Sequence, residues 1–160
     1  MYRIGYATDI HPLVVGRKLF LCGVNIPYDK GLLGHSDADV GIHAIAESIL
    51  GALALGDLGK FFPDTDEKYK DYDSCLLLKE VVDMMENKLY EINNIDVTII
   101  AEQPKLAPYI NEMRAVISTI LKVDVEAVSI KACTNEGLGE IGRNEAISAH
   151  CICLLRKKVK

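Results

Sequence analysis

Apolar residues in this chain switch repeatedly between a period of two and helical spacing, and that alternation restricts the fold more than any other feature. Tyr2 to Ile10 and Lys18 to Val24 are short β-compatible stretches separated by a loop. Val40, Ala44, Ile45, Ile49, Leu50 and Leu53 then recur at helical spacing. Ser36 reads as the N-cap of that helix, with Asp37 and Asp39 favouring its positive end. Gly56 to Asp66 breaks the pattern as a polar loop, and a second helix is predicted over Ser74 to Lys88. Asn94 to Ala101 reads as a strand ending at Gln103-Pro104, where proline removes a backbone donor. Pro108 to Lys122 is a third helix with proline in its first turn; Val128 to Cys133 and Ala146 to Leu155 are strands. Such interleaving predicts an α+β or α/β sandwich, one sheet packed against helices. An open doubly wound sheet is the alternative, but a glycine-rich nucleotide loop is missing.

The 160 residues suit one domain, residues 1–160, because no repeat, low-complexity tract or Pro/Gly-rich linker interrupts them. Hydrophobic residues make up 49% and charged residues 26%, enough apolar side chain for a sizeable core. A net charge of −5 argues against nucleic acid as a partner. The basic cluster Arg156-Lys157-Lys158 with Lys160 reads as a solvated tail. No apolar run approaches the roughly twenty residues of a membrane helix. Met1 to Gly5 leads directly into patterned sequence, so no secretory leader is expected. The expected compartment is a reducing cytoplasm. Five cysteines at no zinc-knuckle spacing read as small core residues under reducing conditions.

Four clusters carry candidate chemistry. Asp9 and His11 are two apart, so an extended segment points both to one face, and His43 on the following helix is placed to join them. Two imidazoles and a carboxylate leave one tetrahedral position open, as in catalytic rather than structural zinc. A capped turn with surface histidines is the competing reading. In the second cluster, free N–H groups at the helix start suit a phosphate oxygen. Ordinary capping accounts for Ser36, Asp37 and Asp39, but not for His35. The third holds Asp57 and Gly59, then Phe62, Asp64 and Asp66: carboxylates beside glycine that suit sugar hydroxyls, or a plain solvated turn. In the fourth, after a predicted strand, Glu136 suits a hard cation such as Mg²⁺ and Thr134 a phosphoryl oxygen, unless this is a strand-terminal turn.

The order of the motifs adds more than any one of them. Arg3-Ile-Gly-Tyr-Ala-Thr-Asp-Ile-His11, Gly31-Leu-Leu-Gly-His-Ser-Asp-Ala-Asp-Val40 with His43, Leu55-Gly-Asp-Leu-Gly59, Phe62-Pro-Asp-Thr-Asp66, Asn94 to Ala101 with Pro104-Lys105, and Gly139 to Glu145 follow one another along nearly the whole chain. This series closely resembles the 2-C-methyl-D-erythritol 2,4-cyclodiphosphate synthases of the non-mevalonate isoprenoid pathway.

The resemblance implies a homotrimer of mixed-sheet subunits with active sites between neighbours. It implies a cytidine diphosphate-linked substrate whose 2-phosphate attacks the β-phosphorus and expels CMP, a phosphorus–oxygen lyase reaction. Asp9, His11 and His43 then match zinc ligands, and Glu136 the residue holding Mg²⁺ or Mn²⁺. His35 and Thr134 match transition-state stabilisers. Ser36, Asp57, Gly59, Asp64 and Asp66 match the methylerythritol and ribose region; Ala101 to Ala107, with Pro104, Lys105 and Leu106, match the cytosine pocket; Phe62, Cys133 and Arg143 stand at further substrate positions. Ala7, Thr8, Glu47, Cys133 and Glu140 depart from the family pattern, without touching any metal or phosphate position. Two other functions compete: a non-catalytic metal- or nucleotide-binding trimer, and a metal-dependent phosphohydrolase.

Overall fold

The computed structural model describes residues 1–159, so Lys160 of the basic cluster lies outside the described residues. Strand β1 (Tyr2–Val15) runs five residues past the predicted end, straight through Pro12. Proline is tolerated there because β1 changes partner at that point. Pro12 closes the pairing with one neighbour, opposite Ala146, and Leu13 opens the pairing with another, opposite Leu32. Lys18 to Val24 is not one strand but part of a hairpin, β2 (Leu19–Leu21) and β3 (Val24–Ile26), turning at Cys22-Gly23 where both φ angles are positive. Short β4 (Lys30–Leu32) precedes the long helix α1 (Val40–Ala52).

The predicted polar loop contains a single helical turn, α2 (Leu58–Phe61), and a 3₁₀ turn at Glu67–Tyr69. Helix α3 (Ser74–Asn87) follows as expected. Strand β5 (Tyr90–Ile100) begins four residues before the predicted Asn94, because a bulge between Ile92 and Asn94 breaks the period-two signal. Pro108 sits in a 3₁₀ turn, and α4 (Ile110–Leu121) starts only after it. Strand β6 (Val128–Cys133) matches its prediction; the short α5 (Gly139–Gly142) was not foreseen. Strand β7 (Ala146–Lys157) takes Arg156 and Lys157 into the sheet, where Arg156 pairs with Glu91 at 2.7 Å. That basic stretch is therefore not a free tail.

Five strands form one sheet in the order β4-β1-β7-β5-β6, antiparallel except for the β5–β6 pair, so the sheet is mixed and the fold is α+β. The long helices pack on one face: α1 on β1 and β7, α3 on β5, and α4 on β6. Alternate residues Ala7, Cys151, Cys153, Val97, Ile99 and Ile130 are buried beneath them. On the opposite face Tyr2, Ile4, Tyr6, Ile10 and Ile152 stand exposed, Ile4 at 72%. Not all five cysteines are core: Cys22, Cys151 and Cys153 are buried, whereas Cys75 is half-buried and Cys133 exposed at a strand end. No helix among the described residues is long and apolar enough to cross a membrane.

Helix α1 lies almost in backbone contact with β1. A Cβ added at Gly5 would sit 1.9 Å from the Ser48 carbonyl oxygen. Gly5→Ala must push α1 off the sheet, so we expect a loss of about 1–3 kcal/mol in urea denaturation.

Candidate functional site

Strand periodicity turns Asp9 and His11 toward α1, whose fourth residue is His43. Asp9 Oδ2 lies 3.1 Å from His11 Nε2 and 3.0 Å from His43 Nδ1. Among the described residues these three form a group whose ligand atoms all lie within 4.8 Å of one another. His11 Nδ1 is 3.0 Å from the Leu33 carbonyl oxygen, which only accepts, so that nitrogen carries the proton. Nε2 of a neutral His11 then directs a lone pair at a carboxylate oxygen, an arrangement that needs a cation between them, either a second proton or a metal.

The electrostatics follow from that crowding. Burial pushes the Asp9 carboxyl up, but hydrogen bonds and charge from His11 and His43 outweigh it and hold the group well below the usual carboxylate range. Burial pushes His11 down, and the Asp9 bond and charge outweigh it, leaving the imidazole above its ordinary value. Two imidazole nitrogens and one carboxylate oxygen are a donor set that suits a divalent metal, zinc in particular.

The start of α1 differs from the sequence expectation. Its N-cap is Asp39, not Ser36, so His43 ends the first turn rather than lying two turns inside. The Asp39 carboxylate is fully buried and accepts from Ile42 N and Cys22 N through Oδ1, and from Gly23 N through Oδ2, at 2.8–3.0 Å. The Asp39 side chain thus caps the helix at Ile42 N, in place of the expected Ser36. Burial, then the nearby Asp37 carboxylate, push Asp39 above its ordinary range, partly offset by those three N–H donors. Asp39→Ala leaves three N–H groups without their acceptor, so stability should fall by ~2 kcal/mol or more in urea titration.

Around the three-residue group is a cavity of about 230 Å³ whose lining includes His11, His35, Ser36, His43, Phe62 and Asp64. His35 Nε2 is 3.3 Å from the Asp66 carbonyl oxygen, and Phe62 stacks edge-on against Tyr69, which does the same with Tyr72. Asp57 caps α2 through Lys60 N and Asp66 caps the 3₁₀ turn through Lys68 N; with Gly59 they lie on the adjoining exposed segment.

A second cavity, about 260 Å³, is lined by Ala101, Pro104, Lys105, Leu106, Ala107, Cys133 and Thr134. Glu102, within the expected Ala101 to Ala107 stretch, also lines it. Its Oε1 accepts from Asn135 N at 2.8 Å and Gly137 N at 3.1 Å, and so holds the Thr134–Glu136 turn in place. Glu136 is exposed, with a positive φ of 53°. The two cavities share no lining residue. Asp9, Ala149, Ile99 and Ala132 lie in one row across β1, β7, β5 and β6, so the metal group and the Thr134 turn are ~14 Å apart by strand spacing. Arg143 lines neither cavity and makes a two-pronged ion pair with Glu145. A larger cavity, about 670 Å³ between α3 and α4, holds none of these residues.

The sequence profile of the YgbB family matches residues 2–156. The chain belongs to that family. Its curated relatives include the 2-C-methyl-D-erythritol 2,4-cyclodiphosphate synthase of Brachyspira hyodysenteriae, 58% identical over 97% of this chain and 98% of that protein. The synthase of Clostridioides difficile is 59% identical over 96% of this chain and 95% of its own length. Among solved structures, a CDP complex of IspF from Plasmodium falciparum superposes with a TM-score of 0.87 at 36% identity, covering 99% of this chain and 97% of the other. The bifunctional IspDF of Campylobacter jejuni gives a TM-score of 0.95 at 37% identity, over 99% of this chain but 43% of that longer one. The YgbB fold thus accounts for the whole described architecture.

Proposed function

We propose that this chain converts 4-diphosphocytidyl-2-C-methyl-D-erythritol 2-phosphate into 2-C-methyl-D-erythritol 2,4-cyclodiphosphate and CMP, acting as a phosphorus–oxygen lyase in isoprenoid precursor synthesis. The observation that carries this reading is the convergence of Asp9, His11 and His43 beside a cavity, in a chain matched by its family from residue 2 to 156. Residues 1–160 act as one domain, in the cytoplasm, a setting that suits its unpaired thiols.

The nucleophile of this reaction is already an anion, so the protein needs no strong base. The obstacle is bringing a phosphate monoester against a charged diphosphate. Asp9, His11 and His43 would hold zinc and Glu136 would hold Mg²⁺ or Mn²⁺, cations that would supply positive charge to offset this repulsion and polarise the diphosphate. His35 donates to a phosphoryl oxygen from the metal side and Thr134 from the nucleotide side, while Ser36 faces the methylerythritol and ribose. Asp57, Gly59, Phe62, Asp64 and Asp66 surround the methylerythritol and ribose. Ala101, Pro104, Lys105, Leu106, Ala107 and Cys133 enclose the cytosine, and Arg143 meets substrate at the rim. Holding both ends of one substrate supplies the in-line orientation.

Within one chain the metal group and the Thr134–Glu136 turn stand ~14 Å apart across the sheet, too far for both to grip one diphosphate. That separation supports active sites built between two copies. The uncovered sheet face, carrying Tyr2, Ile4, Tyr6, Ile10 and Ile152, supports their assembly as a homotrimer.

Incubation of the purified protein with the cytidyl substrate and Mg²⁺ should yield CMP and the cyclic diphosphate. Release of inorganic phosphate would overturn the reading, and metal binding without turnover would point to a binding protein. His43→Ala should lose the zinc, one per chain in the parent protein, and all turnover, while sedimentation still reports three chains. Stoichiometric zinc in that variant would sink the ligand assignment.

A further inference from the structure

Behind His43, on the side away from Asp9, stands a pair of residues with no assigned part in the reaction. Ser74, the first residue of α3, is fully buried. Its backbone N donates to Asp37 Oδ2 at 3.0 Å and its hydroxyl donates to Asp37 Oδ1. Asp37 Oδ1 also accepts from Asp39 N at 3.1 Å, so three donors surround this carboxylate. Ser74 Oγ then lies 3.0 Å from His43 Nε2. A hydroxyl has one proton, and Asp37 holds it; toward the imidazole Ser74 only accepts. His43 therefore has an acceptor for a proton on Nε2, while Nδ1, 3.0 Å from Asp9 Oδ2, faces the position where a cation must stand.

We propose that Asp37 and Ser74 form a positioning relay that locks the tautomer and ring plane of His43, so that Nδ1 stays available as a metal ligand. The inference rests on the zinc reading above and deepens it. It also explains an asymmetry. His11 presents Nε2 because the Leu33 carbonyl holds its Nδ1 proton, and His43 presents Nδ1 because the relay holds its Nε2 proton. The Asp37 charge, carried through the hydroxyl, makes the imidazole a better donor, as acceptors behind metal-bound histidines generally do.

A purely structural role fits Ser74 poorly. The N-cap of α3 is Asp73, whose side chain accepts from Cys75 N at 2.8 Å, so the Ser74 hydroxyl is not needed for capping. Ser36 Oγ also approaches His43 Nε2, at 3.2 Å, but accepts in addition from Ala38 N and has no carboxylate behind it.

The test is zinc affinity from competition with a chelator, together with nitrogen NMR of the His43 ring in the zinc-loaded protein. The parent should show a His43 Nε2–H that exchanges slowly with water, because Ser74 Oγ holds it. Ser74→Ala should speed that exchange and bind zinc about 10–100-fold more weakly. Asp37→Asn keeps the shape, but its amide can donate to Ser74 Oγ and turn the hydroxyl proton toward His43. That variant should also speed the exchange and weaken zinc. Unchanged exchange and zinc affinity within about twofold in both variants would overturn the relay, whatever happens to thermal stability. If the parent binds no zinc, the metal reading fails on its own, and Nε2–H exchange of the ring protonated at low pH still decides the relay.

Discussion

The Asp39 carboxylate has no access to water, yet it accepts three backbone N–H groups, one from the first turn of α1 and two from the β2–β3 turn. Burying a carboxylate is costly unless its oxygens are satisfied, and here each accepts a backbone donor. The helix start is thereby tied to the hairpin, while the Gly5–Ser48 approach seats the same helix on β1. These two constraints set where His43 stands relative to Asp9 and His11. The metal group is therefore a consequence of how α1 is fastened at both places, and it rests on regular elements rather than on mobile loops.

Once the elements are so placed, electrostatics shape the site. Lone pairs directed at one region by restrained neighbours repel unless a cation joins them, and this shows in the opposed shifts of Asp9 and His11. The same logic reconciles an acidic protein of net charge −5 with a highly anionic substrate, because bound cations invert the local field. The second cavity makes a different contribution. There a carboxylate, Glu102, accepts backbone N–H groups and so shapes a turn beside the cavity.

Much of this was legible in the residues. Strands and helices with strong periodicity were found nearly where they lie, and β6 matched its prediction residue for residue. Errors arose where a tertiary event overrode local pattern. β1 continues through Pro12 because its partner changes there, β5 starts early behind a bulge, and Arg156 and Lys157 join the sheet because β7 extends between two neighbours. The helix cap moved from Ser36 to Asp39 because only the folded hairpin supplies the two further N–H groups that favour a buried carboxylate there.

Alone, the sequence determined that Asp9 and His11 share a face, that a helix carrying His43 follows, and that the chain's ordered motifs resemble one enzyme family. Periodicity and motif order are local properties, and they survive without coordinates. Tertiary structure decided which nitrogen of each histidine turns inward, that Asp37, Ser74 and Glu102 stand behind the site, and that the two cavities of one chain are separate. Those outcomes depend on hydrogen bonds spanning 22 to 37 residues, between elements whose spacing in sequence carries no trace of their contact.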